Sequence, residues 1–204
     1  MTGLTDAQVE RYSRQVILPE VGARGQERLL GARVVLAGSG PAAVAAATLL
    51  GRAGVGAIDL TADVPDLPEL APDCRIGRGT DGDVVVDLSG DRSARVARGR
   101  RAAGARRPFV AGTLDGARVR VATLVGRPCI ACLAAPEVPP APDPGPLREP
   151  AALALGALAA GEVLRVLLRP GSGGRVTTLA LDAGACDAAR PAPTGGCAVC
   201  GADA

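Results

Sequence analysis

Arg33-Val-Val-Leu-Ala-Gly-Ser-Gly-Pro-Ala-Ala43 is the stretch on which the fold turns. The run through Ala37 is compact and apolar, as a buried strand requires, and Gly38-Ser-Gly40 interrupts it. An alanine-rich helix is expected over residues 41–51, with Pro41 at the first helical position, where its missing N–H costs nothing. Gly54-Val-Gly-Ala-Ile-Asp-Leu60 supplies the next strand, so the stretch reads as a β-α-β unit.

Upstream, Thr5 and Gln8 have the spacing of a capping box, which predicts a short helix to Tyr12, and a second helical stretch follows over residues 25–30. Downstream, residues 61–81 are rich in Pro, Asp and Gly and read as a loop or a degenerate crossover. Residues 83–88 form a buried-type strand, residues 92–105 a helix with a basic face, and residues 109–111 a short strand. Residues 118–124 alternate polar and apolar side chains, as an antiparallel or edge strand does. Residues 137–150 contain six prolines in fourteen positions and predict an extended connector without regular structure. The longest helix is expected over residues 151–168, apolar on nearly all sides, with Gly161 marked for close backbone approach. A last strand covers residues 175–181, and the tail beyond it has only a cysteine pair to order it.

The expected fold class is α/β, a Rossmann-like mixed, mainly parallel sheet flanked by helices, with a C-terminal zinc knuckle. Four parts are expected: an N-terminal helical arm (1–30), a nucleotide-binding-type core (31–134), a proline-rich connector (135–150) and a C-terminal helix, strand and knuckle (151–204).

Two C-x-x-C pairs, Cys129/Cys132 and Cys197/Cys200, have the spacing at which four thiolates close around one zinc ion. Four sulfurs fill a tetrahedral shell and leave no open position for a reactive water, so the site is structural. Redox or disulfide chemistry is the competing reading. It fits poorly with the leftover Cys74 and Cys186, and a redox C-x-x-C normally occurs once. Gly196 and Gly201 flank the second pair and supply the turns a knuckle needs.

At 204 residues the chain can bury a proper core, and with aromatics at 1% that core must be built from Ala, Val and Leu. A formal net charge of +2 implies no general polyanion-binding field, and one Tyr and one Phe give a poor inventory for nucleic-acid binding by base stacking. Every basic residue is Arg, and Lys, His and Asn are absent. No imidazole base, Schiff-base lysine or P-loop lysine exists here, so any phosphate chemistry rests on arginine, backbone amides or a metal. The polar N-terminus is unlike a signal peptide, and no segment reads as a membrane span, which makes the cytoplasm the expected location.

Gly38 and Gly40, between strand and helix, resemble a nucleotide fingerprint with Ala43 in the third glycine position, and helix N-terminal amides there would face a phosphate. Asp63 is the candidate ribose acid beyond the following strand, one residue past the usual place. The bland alternative is a glycine turn that lets the helix pack close to the strand. Simple NAD or FAD binding is a further alternative.

Arg11-Tyr-Ser-Arg-Gln15, Ile17-Leu-Pro-Glu-Val-Gly22 and Gly25-Gln26 resemble the opening of the ThiF/MoeB/HesA family, the prokaryotic relatives of ubiquitin-activating enzymes. The glycine turn, Ala53-Gly-Val-Gly56, Asp83-Val-Val-Val-Asp87, the two cysteine pairs and the long helix containing Glu162 follow in the family's order over nearly the whole chain. The resemblance implies a homodimer that binds ATP and magnesium and adenylylates the C-terminal glycine of a ubiquitin-like sulfur carrier. It also implies that Arg14 reaches across the dimer toward the triphosphate, a task suited to a planar, permanently charged guanidinium. Without the resemblance, Arg11 and Arg14 read as solvated or ion-paired helix residues.

The departures from the family pattern are large. The Asn-x-x-Arg-Gln segment and the catalytic lysine have no counterpart, and the magnesium-binding aspartate position falls on Gly90, with Asp91 one place further on. The crossover loop that holds a nucleophilic cysteine in some members is shortened, and Cys186 lies outside it. The expectation is therefore a degenerate member that serves as a binding or scaffold partner for a sulfur carrier, a peptide or a catalytic paralogue in a heterodimer. The alternative is a working adenylyltransferase that uses Asp63, Asp91 and the arginines of residues 92–107.

Overall fold

The computed structural model describes residues 3–65, 67–133 and 141–201. Helix α1 (Asp6–Arg11) starts at the expected capping box, where the Thr5 hydroxyl accepts from the Gln8 N–H and the Gln8 side chain accepts from the Thr5 N–H. Helices α2 (Ser13–Val16) and α3 (Gly22–Gly31) follow. Strand β1 (Arg33–Ala37) has the bounds of the apolar run, and α4 (Gly40–Ala53) leads to β2 (Ala57–Leu60).

Residues 61–81 are not wholly a loop, because Arg75–Gly77 forms a short strand, β3. Next come β4 (Val84–Asp87), α5 (Arg92–Gly104), β5 (Phe109–Asp115) and β6 (Arg118–Leu124). A 3-10 turn at Ile130–Leu133 carries the first cysteine pair.

Within the proline-rich stretch, residues 134–140 lie outside the described residues, while a 3-10 turn at Gly145–Leu147 and the start of α6 (Arg148–Leu168) lie inside it. The expectation of no regular structure up to residue 150 is corrected at this end. Pro150 sits in the first turn of α6, where backbone N–H groups have no intrahelical partner to lose. Strand β7 (Arg175–Ala180) follows, and the tail has a second source of order, strand β8 (Ala185–Ala189), paired antiparallel with β7.

The eight strands form one sheet in the order β3-β2-β1-β4-β5-β6-β7-β8. Strands β3 to β5 in that order are parallel and β6, β7 and β8 join antiparallel. Chain order reverses between β1 and β4, which places the topological switch point at the Gly38 turn.

Helices α4 and α6 pack on one face, over Val34, Leu36, Ile58, Val86 and Val110. Each of these fully buried aliphatic side chains contributes roughly 1.5–3 kcal/mol of transfer free energy. Alanines at positions 42, 43, 46 and 47 keep α4 thin, and the residue that lets α6 approach is Gly156. A Cβ there would stand 2.3 Å from the Ala42 carbonyl oxygen, whereas nothing crowds Gly161, so the expected point of approach is corrected. Helix α5 and the Ile130–Leu133 turn cover the opposite face, around Phe109, Ala111 and Leu124.

The segment Gly145–Leu168 is long and apolar enough to cross a bilayer, contrary to the sequence reading. Here it is a core helix, buried along Ala151, Leu155, Ala159, Ala160 and Val163 against α4, β5 and β6. Its one buried charge, Glu162, accepts from the Thr123 hydroxyl at 2.5 Å and from Arg165 at 2.8 and 3.1 Å, and pairs with Arg175. Burial opposes ionisation of Glu162, but these donors outweigh it and hold the carboxyl below its usual range.

Candidate functional site

The chain presents two constructions outside its core. The first is the glycine turn at the switch point. Gly38 has φ +136°, and a Cβ there would fall 2.8 Å from the backbone of Leu88, so only glycine lets the β1 and β4 ends lie this close. Gly40 opens α4 and Ser39 precedes it without a side-chain cap, which leaves the first amides of a fourteen-residue helix to other partners. Beside the turn lies a cavity of about 210 Å³, walled by Ser39, Pro41, Leu88, Gly90, Gly112 and Leu155.

The acids near this turn are already engaged. Asp87, fully buried at the end of β4, accepts from the Ser89 N–H at 3.1 Å and hydroxyl at 2.8 Å and from Arg98 at 2.6 Å, with Arg95 3.8 Å away. Asp91 caps α5: its carboxylate accepts from the Ala94 N–H at 2.9 Å and the Ser93 hydroxyl at 2.7 Å, and the Ala94 bond lowers its pKa. Asp63 is exposed beyond the end of β2, where it pairs with Arg78.

Asp87 was not singled out in the sequence as a site residue, although a strand ending in Asp at the switch point was the available signal. Arg11 and Arg14 part company. Arg11 pairs with Asp73 at 2.5 Å, whereas Arg14 on α2 is exposed and makes no ion pair among the described residues.

The second construction is the cysteine cluster. The Sγ atoms of Cys129, Cys132, Cys197 and Cys200 all lie within 4.8 Å of one another, with Cys129–Cys197 at 3.7 Å and Cys132–Cys200 at 3.4 Å. Four sulfurs about 2.3 Å from a tetrahedral centre stand about 3.8 Å apart, so the cluster matches the metal geometry its spacing implies.

Each pair sits on a backbone turn: the Cys132 N–H donates to the Cys129 carbonyl and the Gly201 N–H to the Cys197 carbonyl. Burial pushes the Cys129 thiol up to about 12, while the amides of Val199 and Cys200 pull Cys197 down to about 6. The cluster can hold a metal ion, and it ties the tail to the turn whose Ile130 packs into the α5 face. Cys186 stands apart, exposed on β8.

No family model matches the chain. A sulfur carrier protein adenylyltransferase of Thermus thermophilus is 48% identical over 54 residues, covering 26% of this chain and 20% of that protein. The SAMP-activating enzyme E1 of Haloferax volcanii is 45% identical over 64 residues, 31% of this chain and 24% of that protein. The matches thus span no more than about a quarter of these relatives' length. Among solved structures, E. coli MccB with MccA-N7isoASN superposes with a TM-score of 0.73 at 15% identity, covering 94% of this chain and 75% of that one. MccB with ATP gives 0.72 at 17%, covering 94% and 74%.

Fold and site together define a Rossmann-like α/β protein with a glycine turn at its switch point and a four-cysteine cluster fastening its tail. Its sequence is similar to sulfur-carrier and SAMP-activating adenylyltransferases over about a quarter to a third of the chain, and its fold is that of MccB.

Proposed function

We propose that the chain is a degenerate ThiF/MoeB-like protein that binds a ubiquitin-like sulfur carrier, a peptide or a catalytic paralogue and has little adenylylation activity of its own. One observation carries this reading. The acids around the glycine turn are spent on Arg98, on the α5 cap and on Arg78, and no lysine exists to hold a polyphosphate. Adenylyl transfer depends on donors positioned for phosphate charge, and the loss of one costs on the order of 3 kcal/mol.

Exposed Arg14, with Ile17 beside it 77% exposed, supports a dimer surface on the N-terminal arm. In a heterodimer Arg14 would serve the partner's nucleotide site. The cysteine cluster is read as structural zinc, on its all-thiolate donor set. Gly38 and Gly40 are read as a residual ATP and magnesium site, and the cytoplasm as the protein's location.

ATP–pyrophosphate exchange with candidate carrier proteins tests the proposal. Exchange at background, with co-purification of a catalytic paralogue, is expected. Exchange well above background and abolished by Arg14→Ala would establish a working enzyme instead.

A further inference from the structure

The link from β3 to β4 is six residues, 78–83, where parallel strands usually need a crossover of about a dozen residues with a helix. The short link crosses β2 and β1 close to the sheet: a Cβ on Gly79 would meet the Asp59 carboxylate at 2.5 Å, and one on Gly82 the Arg33 carbonyl at 2.8 Å. Among the described residues α5 is the helix that stands over this part of the sheet, and between α5 and the link lies a cavity of about 350 Å³. This volume is in the range of small-molecule sites.

The two walls of the cavity differ in chemistry. Val35 and Val85 form an apolar floor. The α5 wall presents Arg98 and Arg101, one helical turn apart on the same side, and Arg107 lies beyond the end of the helix. Arg98 is paired with Asp87 and Arg107 with Asp83, while Arg101 is exposed and makes no ion pair among the described residues. The one acid in the lining, Asp81, belongs to the opposite wall, beside Thr80. Residues 92–107 hold seven arginines and no acid, so the α5 side carries a concentrated positive field.

We infer that this cavity is a binding site for a small apolar acid, whose oxyanion meets Arg101 and Arg98 while its body lies on Val35 and Val85. An arginine fork suits carboxylate and phosphate alike. An anion is directed to the α5 wall because Asp81 repels it from the other. The site shares Arg98 with Asp87 but uses neither the amides of the glycine turn nor the cysteine cluster, so its test does not depend on the proposed function.

Calorimetric titration of the intact protein with 1-naphthoate, 1-naphthyl phosphate, inorganic phosphate and methyl 1-naphthoate tests the inference. One-site binding of either naphthyl anion is expected, with inorganic phosphate and the neutral ester at least about tenfold weaker. Arg101→Glu should weaken the anion by about tenfold or more and Arg101→Lys should restore part of it. Ala105→Trp, at the exposed end of α5, should block the cavity. The tighter of the two naphthyl anions identifies the acid as carboxylate or phosphate. Equal binding of the ester, or affinity unmoved by both Arg101→Glu and Ala105→Trp, would overturn the assignment.

Discussion

The Tyr12 hydroxyl donates to Asp73 at 3.1 Å, across 61 residues of chain. Gln8 at 3.0 Å and Arg11 at 2.5 Å share the same carboxylate, so the N-terminal arm is locked to the segment before β3 through a single acid. Tyr12 is 1% exposed and is the chain's only tyrosine, with no tryptophan present. Burial first, and Asp73 second, raise its pKa to about 12.

Absorbance at 295 nm therefore reports this one phenol. Ionisation is expected near pH 12 in the wild type, and nearer to the ordinary value of about 10 in Asp73→Asn. Because the folded pKa is raised, the stabilisation is fully present below about pH 10 and is lost as pH rises toward 12. Asp73→Ala should cost about 2 kcal/mol in denaturant unfolding, since it strands the hydroxyl of buried Tyr12 and frees Gln8 and Arg11.

Glu162→Ala removes the acceptor shared by Thr123, Arg165 and Arg175. A loss of about 3 kcal/mol is expected, nearer the low end for a broken buried pair because Arg175 is 45% exposed. The wild-type carboxyl titrates below its usual range, so its contribution holds above about pH 4.3 and fades as pH falls through the depressed value. Unfolding curves between pH 3 and pH 7 for wild type and Glu162→Gln should therefore converge at the acid end.

Gly156→Val places a branched side chain where even a Cβ meets the Ala42 carbonyl. A cost of about 3 kcal/mol or failure to fold is expected, whereas Gly161→Ala, facing open space, should be neutral or stabilising by up to about 1 kcal/mol. Thermal melts of the two variants separate the outcomes.

Elemental analysis should find one zinc per chain. With metal bound, thiol labelling should be confined to exposed Cys186, with half-buried Cys74 reacting slowly. Chelation should open the four clustered cysteines to the reagent and loosen β8, read by hydrogen exchange. Labelling unchanged by chelators would argue against a metal.

The parts legible in the sequence were those with one dominant signal. Apolar Val34 to Ala37, bounded by Arg33 and Gly38, marked β1 to the residue, and C-x-x-C spacing brought together four sulfurs from distant segments. Ala-Cys-Asp-Ala-Ala at 185–189 has no alternation, since all five residues are exposed, and β8 forms only because β7 offers an edge. Gly156 and Gly161 look alike as letters, and helix–helix geometry alone chooses between them. Asp87 was marked by its place at the end of a strand, but its partner, Arg98 eleven positions on, is visible only in the fold.

The cysteine cluster also has a consequence in time. Its cysteines come from 129–132 and 197–200, with α6, β7 and β8 between them, so joining the two pairs closes a long loop of chain. A metal that joins both pairs after those elements have docked acts beyond the rate-limiting barrier to folding, in the finished protein. It should leave the refolding rate unchanged and lengthen the lifetime of the native state.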